Sequence, residues 1–171
     1  MAEQQTNPNL ANRALQNAAK TSSSMVLTYH EILTKVNNAK DKTKKVEVLR
    51  QYDSPAFRQV LKGAFDPKIL WDLPKGNPPY LPNEAPVGTE HTFLDSEAKR
   101  LWHFVKGADQ NLSKVKKETL FIQILEGLHQ TEAELLIAVK EKKLNKMYKG
   151  LTANLVKEAF GWNDDFVKLE A

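Results

Sequence analysis

Glu126 and His129 stand three residues apart, which puts a carboxylate and an imidazole on one face of a helix. That is the spacing carboxylate-bridged di-iron bundles use. Such a centre needs a second Glu-x-x-His pair and two further inward carboxylates, and the second pair is missing, so no metal site is expected. His30, His91 and His103 complete the histidine set, and His129 is expected near a helix C-terminus, where the dipole favours its cation. Asp164 and Asp165 are adjacent in sequence and therefore diverge, so they make no metal pair by themselves. The chain has no glycine-rich phosphate loop, no H-E-x-x-H and no G-x-S-x-G. It has no cysteine, which removes disulfides, thiolate nucleophiles and sulfur metal sites. The expectation is a protein that is not an enzyme and takes no cofactor.

Two other clusters suit binding. In KEKKLNKMYKG, Lys140, Lys142, Lys143, Lys146 and Lys149 stand against Glu141 alone, with Met147 and Tyr148 interleaved. A basic turn between two helices can meet nucleic-acid phosphates, and a solvated inter-helix turn gives the same pattern. No arginine is present to read base edges, so any nucleic-acid contact there is expected to be backbone-directed. A net charge of +4 and a pI near 9.1 favour acidic partners in encounter. The second cluster is the tail GWNDDFV, where Trp162, Asp164, Asp165, Phe166 and Val167 follow a helix cap. Either it folds back on the core, or it inserts Phe166 and Val167 into a partner's groove with the acids steering the encounter.

The elements that must carry these residues read as helices. Thr28 and Glu31 form a possible capping box ahead of Ile32, Leu33 and Val36. A second helix carries Val46, Val48 and Leu49. Ser54-Pro55 starts a third, which runs through Phe57, Val60 and Leu61 and is expected to stop near Gly63. Phe93 to Val105 suggests a helix ending at Gly107, and Asn111 or Ser113 can cap the next. That next helix, with Phe121, Ile122, Ile124 and Leu125, is the most apolar stretch and is expected at the centre of the core. Thr131 and Glu134 are placed for a capping box before Leu135, and Thr152 opens a last helix closed by Gly161. Pro74, Pro78, Pro79, Pro82 and Pro86 exclude helix and central strand between the halves. Leu73, Tyr80 and Leu81 give that break apolar content, so it is expected to pack across the helices as an extended strap.

These patterns predict an all-α fold: a compact bundle of about six to seven short helices with a central proline-rich strap. The expected organisation is a flexible arm over 1–24, a single helical domain over 25–161 with the strap at 73–88, and an aromatic-acidic tail over 162–171. No window approaches about 18 uninterrupted apolar residues, so no membrane helix is expected. The N-terminus lacks a basic start followed by an apolar run, which places the expected site of action in the cytosol.

AFDPKILWDLPKGNPPYLP, KKETLFIQILEGL, AELLIAVKEKKL and YKGLTANLVKEAF occur in that order. Together they resemble a family of small uncharacterised proteins encoded by large contractile-tailed phages, including those of marine cyanobacteria. The resemblance covers Val26 to Phe160 and leaves out the arm and the tail after Gly161. It implies a viral origin and a setting in the host cytoplasm or the virion, and no catalytic residues. The leading expectation is a non-enzymatic phage accessory protein working by contact with a phage or host protein. Nucleic-acid binding through Lys140 to Lys149 and a minor virion or assembly role are the alternatives.

Overall fold

The computed structural model describes residues 27–86 and 91–169. The arm over 1–24, the strap's last two positions and the last two residues of the tail lie outside that range. Thr28 opens α1 (Tyr29–Asn38): its hydroxyl accepts the Glu31 N–H, and the Glu31 carboxylate accepts the Thr28 N–H at 3.1 Å, closing the expected capping box. Asp41 caps α2 (Lys42–Gln51) by accepting the Lys44 N–H. Ser54 caps α3 (Pro55–Phe65), with Pro55 in the first turn, where its missing N–H has no partner to lose.

Gly63 does not end α3 as expected but lies inside it, because it makes room for an indole. A Cβ there would fall 2.8 Å from Trp71 Cζ2, and the Gly63 carbonyl accepts the Trp71 Nε1–H at 3.1 Å. Gly63→Ala is therefore expected to lower stability by about 1–3 kcal/mol, although alanine is the better helix former. Thermal melting checks this; an unchanged or higher Tm would mean the indole gives way at no cost.

Beyond the strap, α4 (Leu94–Glu97) passes directly into a 3-10 helix, Ala98–Phe104. Ser113 caps α5 (Lys114–Gly127), and α6 (Gln130–Lys140), α7 (Leu144–Met147) and α8 (Ala153–Phe160) follow. Thr152 caps α8, and Gly161 closes it at φ +67, the left-handed geometry that favours glycine. Among the described residues there are eight α-helical segments, one 3-10 segment and only isolated β-bridges, so the fold is an all-α bundle. Two one-turn segments, α4 and α7, carry the number past the expected six or seven.

The centre of the core is α6, not α5. α6 buries Ala133, Leu135, Leu136, Ile137 and Val139 and packs on α1, α3, α5 and α7, so nearly its whole circumference is covered. α5 buries Phe121, Ile124 and Leu125 but leaves Val115 72% exposed. Apolar content alone does not tell an all-round-buried helix from a helix with one wide stripe.

The strap packs on the core through Leu73 and Tyr80, as expected, but Leu81 is 77% exposed. Successive side chains of extended backbone face opposite sides, so seating Tyr80 turns Leu81 out. Lys140 holds the strap by donating from Nζ to the carbonyls of Pro74 at 2.8 Å and Gly76 at 3.0 Å. The Gly76 N–H donates to the Glu141 carboxylate, and the Leu81 N–H to Glu126 Oε2 at 3.0 Å. Beneath the strap, Leu73, Pro78, Pro79, Phe121 and Ile122 line a cavity of about 130 Å³.

Candidate functional site

The suggested Glu126–His129 face does not form, because α5 ends at Gly127 with Leu128 as its cap. His129 instead caps α6, its Nδ1 accepting the Thr131 N–H at 3.2 Å. It thus faces the positive end of a helix dipole, where the sequence suggested the negative end. The same geometry displaces the expected Thr131–Glu134 capping box, since α6 begins at Gln130. Among the described residues no three His, Asp or Glu side chains come together in a way that could hold a metal ion.

The carboxylate that stands out is one the sequence reading passed over. Glu132 is 1% exposed, and its two oxygens accept the N–H groups of Tyr29 at 2.8 Å and Leu94 at 3.0 Å. Those are the first residues of α1 and α4, so one side chain satisfies donors at two helix N-termini. Burial, with smaller help from the charges of Asp95 and Glu31, pushes its carboxyl up to about 6. Nearby, the Tyr29 hydroxyl donates to Asp95 Oδ1 at 2.5 Å, and burial followed by this bond raises its pKa well above the phenol range. Sealed in this way, Glu132 is a structural keystone. Its only sequence signal is a carboxylate on an otherwise apolar helix face.

The basic turn divides in two. Lys140 is 6% exposed and spends its ammonium on the strap. Lys142, at φ +58, donates to the carbonyls of Gly63 at 2.6 Å and Asp66 at 2.9 Å, and burial lowers its pKa. Both satisfy backbone carbonyls within the protein, leaving Lys143, Lys146 and Lys149 exposed. Three scattered ammonium groups make a much weaker phosphate surface than the five the sequence suggested.

The tail folds back. Phe166 is 4% exposed, with its ring centroid 6.0 Å from that of Trp162, and Trp162 in turn packs on Phe160. The Asn163 side chain accepts the N–H groups of Asp165 at 2.8 Å and Val167 at 3.1 Å, and the Leu169 N–H returns to the Gly161 carbonyl at 2.7 Å. Asp164 pairs with Lys157 at 3.2 Å and Asp165 with Lys68 at 2.8 Å. Phe166 is thus taken by its own core and is not offered to a partner. Val167 remains 53% exposed and Leu169 58%.

Through Lys68 the tail is tied to the turn after α3, and that turn borders an open concavity. Ala64, Phe65, Pro67, Leu70 and Ala153 line a shallow groove of about 460 Å³, rimmed by Lys142, Asn145 and Thr152. Leu70 is 54% exposed there. Its sequence neighbours Ile69 and Trp71 are partly buried, and irregular backbone has no period that would mark Leu70 as the exposed one.

Fold and surface together define a small all-α bundle in which buried Glu132 and Lys140 hold backbone and the groove at Leu70 is shallow and largely apolar. Residues 32–146 match a family of unknown function, DUF6433, and the chain belongs to that family. No curated protein and no solved structure matches the chain.

Proposed function

We propose that the protein is a non-enzymatic accessory factor acting through protein–protein contact in the cytoplasm of a phage-infected cell. The observation that carries this reading is the apolar groove at Leu70, with exposed Val167 and Leu169 on the tail that Lys68 tethers beside it. Exposed apolar surface rimmed by polar groups is the usual mark of a protein contact site. The groove is open and shallow, which suits an apolar anchor from a partner better than an enclosed small molecule. The chain's net charge of +4 favours an acidic partner in encounter. The phage setting rests on the resemblance of the four ordered segments. Among the described residues no helix is long and apolar enough to cross a membrane.

A photo-crosslinking amino acid at Leu70 or Val167, exposed to infected-host extract, is expected to give the same discrete protein adduct. Leu70→Asp should abolish the adduct formed from Val167. Adducts at a distant exposed position such as Lys44 that match those at Leu70, or no adduct at either site, would sink the proposal.

A further inference from the structure

Trp102 is 45% exposed, whereas Trp71 and Trp162 are partly buried against the core. Its indole lies on the His103 ring, with centroids 3.9 Å apart and planes 30° from parallel. His103 is held in turn: its Nδ1 lies 2.8 Å from Asp109 Oδ2, and Asp109 Oδ1 accepts the Asn111 N–H at 3.0 Å. The bond to His103, aided by backbone N–H groups of Asn111 and Leu112, keeps the Asp109 carboxyl below the usual carboxylate range. One face of Trp102 is therefore backed by an oriented ring, and much of the rest of the indole is open to solvent.

The surroundings are cationic. Residues 97–118 contain Lys99, Arg100, Lys106, Lys114, Lys116 and Lys117 against three carboxylates. Asp72 forms an ion pair with buried Lys117 at 2.9 Å, and Lys114 and Lys106 add their fields at the same carboxylate. Among the described residues neither Lys106 nor Lys114 has an ion pair of its own. Lys106 is placed by its backbone: its N–H donates to the Leu70 carbonyl at 2.7 Å, and turns from Trp102 to Val105 and from Val105 to Ala108 flank it. The result is a half-exposed indole in the 3-10 helix, followed by a turn that carries Lys106 without an ion pair of its own.

We infer that this surface binds single-stranded nucleic acid, with an unpaired base stacking on Trp102 and the neighbouring phosphates meeting Lys106 and Lys114. Every base has a flat face, so stacking on an indole tolerates any sequence. Duplex DNA keeps its bases stacked on one another and offers Trp102 nothing equivalent. Arg100, the arginine of the segment, is bonded to Glu97 at 3.0 Å and is not spare for a base edge. An aromatic anchor for a protein would sit in an apolar ring that excludes water. Here the segment on either side of the indole carries Lys99, Arg100 and Lys106 and no carboxylate between Ala98 and Ala108.

The test is fluorescence anisotropy of the full chain with a labelled oligothymidylate of about 12 nucleotides, which is within the range of such sites. Binding is expected to weaken steeply between about 50 and 200 mM salt, as counterion release requires. Trp102→Ala is expected to weaken it about tenfold or more while Trp102→Phe retains most of it, and Lys106→Glu with Lys114→Glu is expected to abolish it. Charge reversal at Lys143, Lys146 and Lys149 should leave it unchanged, and a duplex of the same length should bind more weakly. Absence of binding at low salt, equal affinity of Trp102→Ala, or equal affinity for duplex would each overturn the proposal. A Trp102-dependent crosslink to a protein in place of oligonucleotide binding would reassign the surface and overturn it as well.

Discussion

Glu132→Ala is expected to cost about 4 kcal/mol of folding stability at pH 4.5 and about half that at pH 7. The cost arises because the N–H groups of Tyr29 and Leu94 lose their acceptor. Each orphaned buried amide costs about 1–3 kcal/mol. The pH dependence follows from the direction in which burial moves the carboxyl. In the folded protein it titrates near 6, above its ordinary 4.5, so the folded state holds the proton more tightly than the unfolded chain. Its contribution to stability is complete below pH 4.5 and is lost as pH rises through 6, by about 2 kcal/mol for a shift of this size. The wild-type protein therefore gives up at neutral pH part of what Glu132 provides in acid, and the alanine variant does not. Urea unfolding of both proteins at the two pH values measures the difference, and contributions common to both cancel in the subtraction. A cost that grows with pH would show that the two amides dominate over burial and hold the carboxyl down.

The second large effect is at Phe57, which is fully buried. Its ring meets Tyr29 edge-on at 5.0 Å and Phe160 at 6.2 Å, so α1, α3 and α8 converge on it. Phe57→Ala is expected to lose about 3–5 kcal/mol, the range for removing a large side chain from a packed core. For a chain of this size that corresponds to a fall in Tm of about 6–20 °C. Phe57→Leu keeps most of the volume and should lose no more than about 1.5 kcal/mol. Calorimetry distinguishes the cases, and a small effect of the alanine variant would mean that the surrounding helices collapse into the space.

Much of the helical framework was legible because its signals are local. The Thr28–Glu31 box, the Ser54–Pro55 start and the Gly161 stop each depend on residues within one turn, and each is observed. The failures share a cause. Gly63 looked like a stop because the indole that requires it comes eight residues later. Thr131 looked like a cap because the rival acceptor, the His129 side chain, is two residues earlier on a helix junction too tight to leave room for a linker. Lys140 and Lys142 looked like surface charge because the carbonyls that consume them lie more than sixty residues away.

The candidate surfaces show the same division. Phe166 and Val167 are neighbours in sequence, yet one is buried against Trp162 and the other exposed, and only the fold of the tail separates them. Leu70, Trp102 and Glu132 carry no motif. Groove, platform and keystone come from which distant backbone reaches each side chain.

By itself the sequence determined that this chain is helical, where most of its helices start, and that a proline strap crosses between the halves. Those outcomes rest on caps, periodicity and the missing N–H of proline, all of which act over a few residues. Only the tertiary structure decided that α6 is the centre, that two lysines of the basic turn are internal fasteners, and that the tail is closed. These depend on burial and on hydrogen-bond partners far apart along the chain, whose desolvation and pairing free energies exist only once the helices are packed.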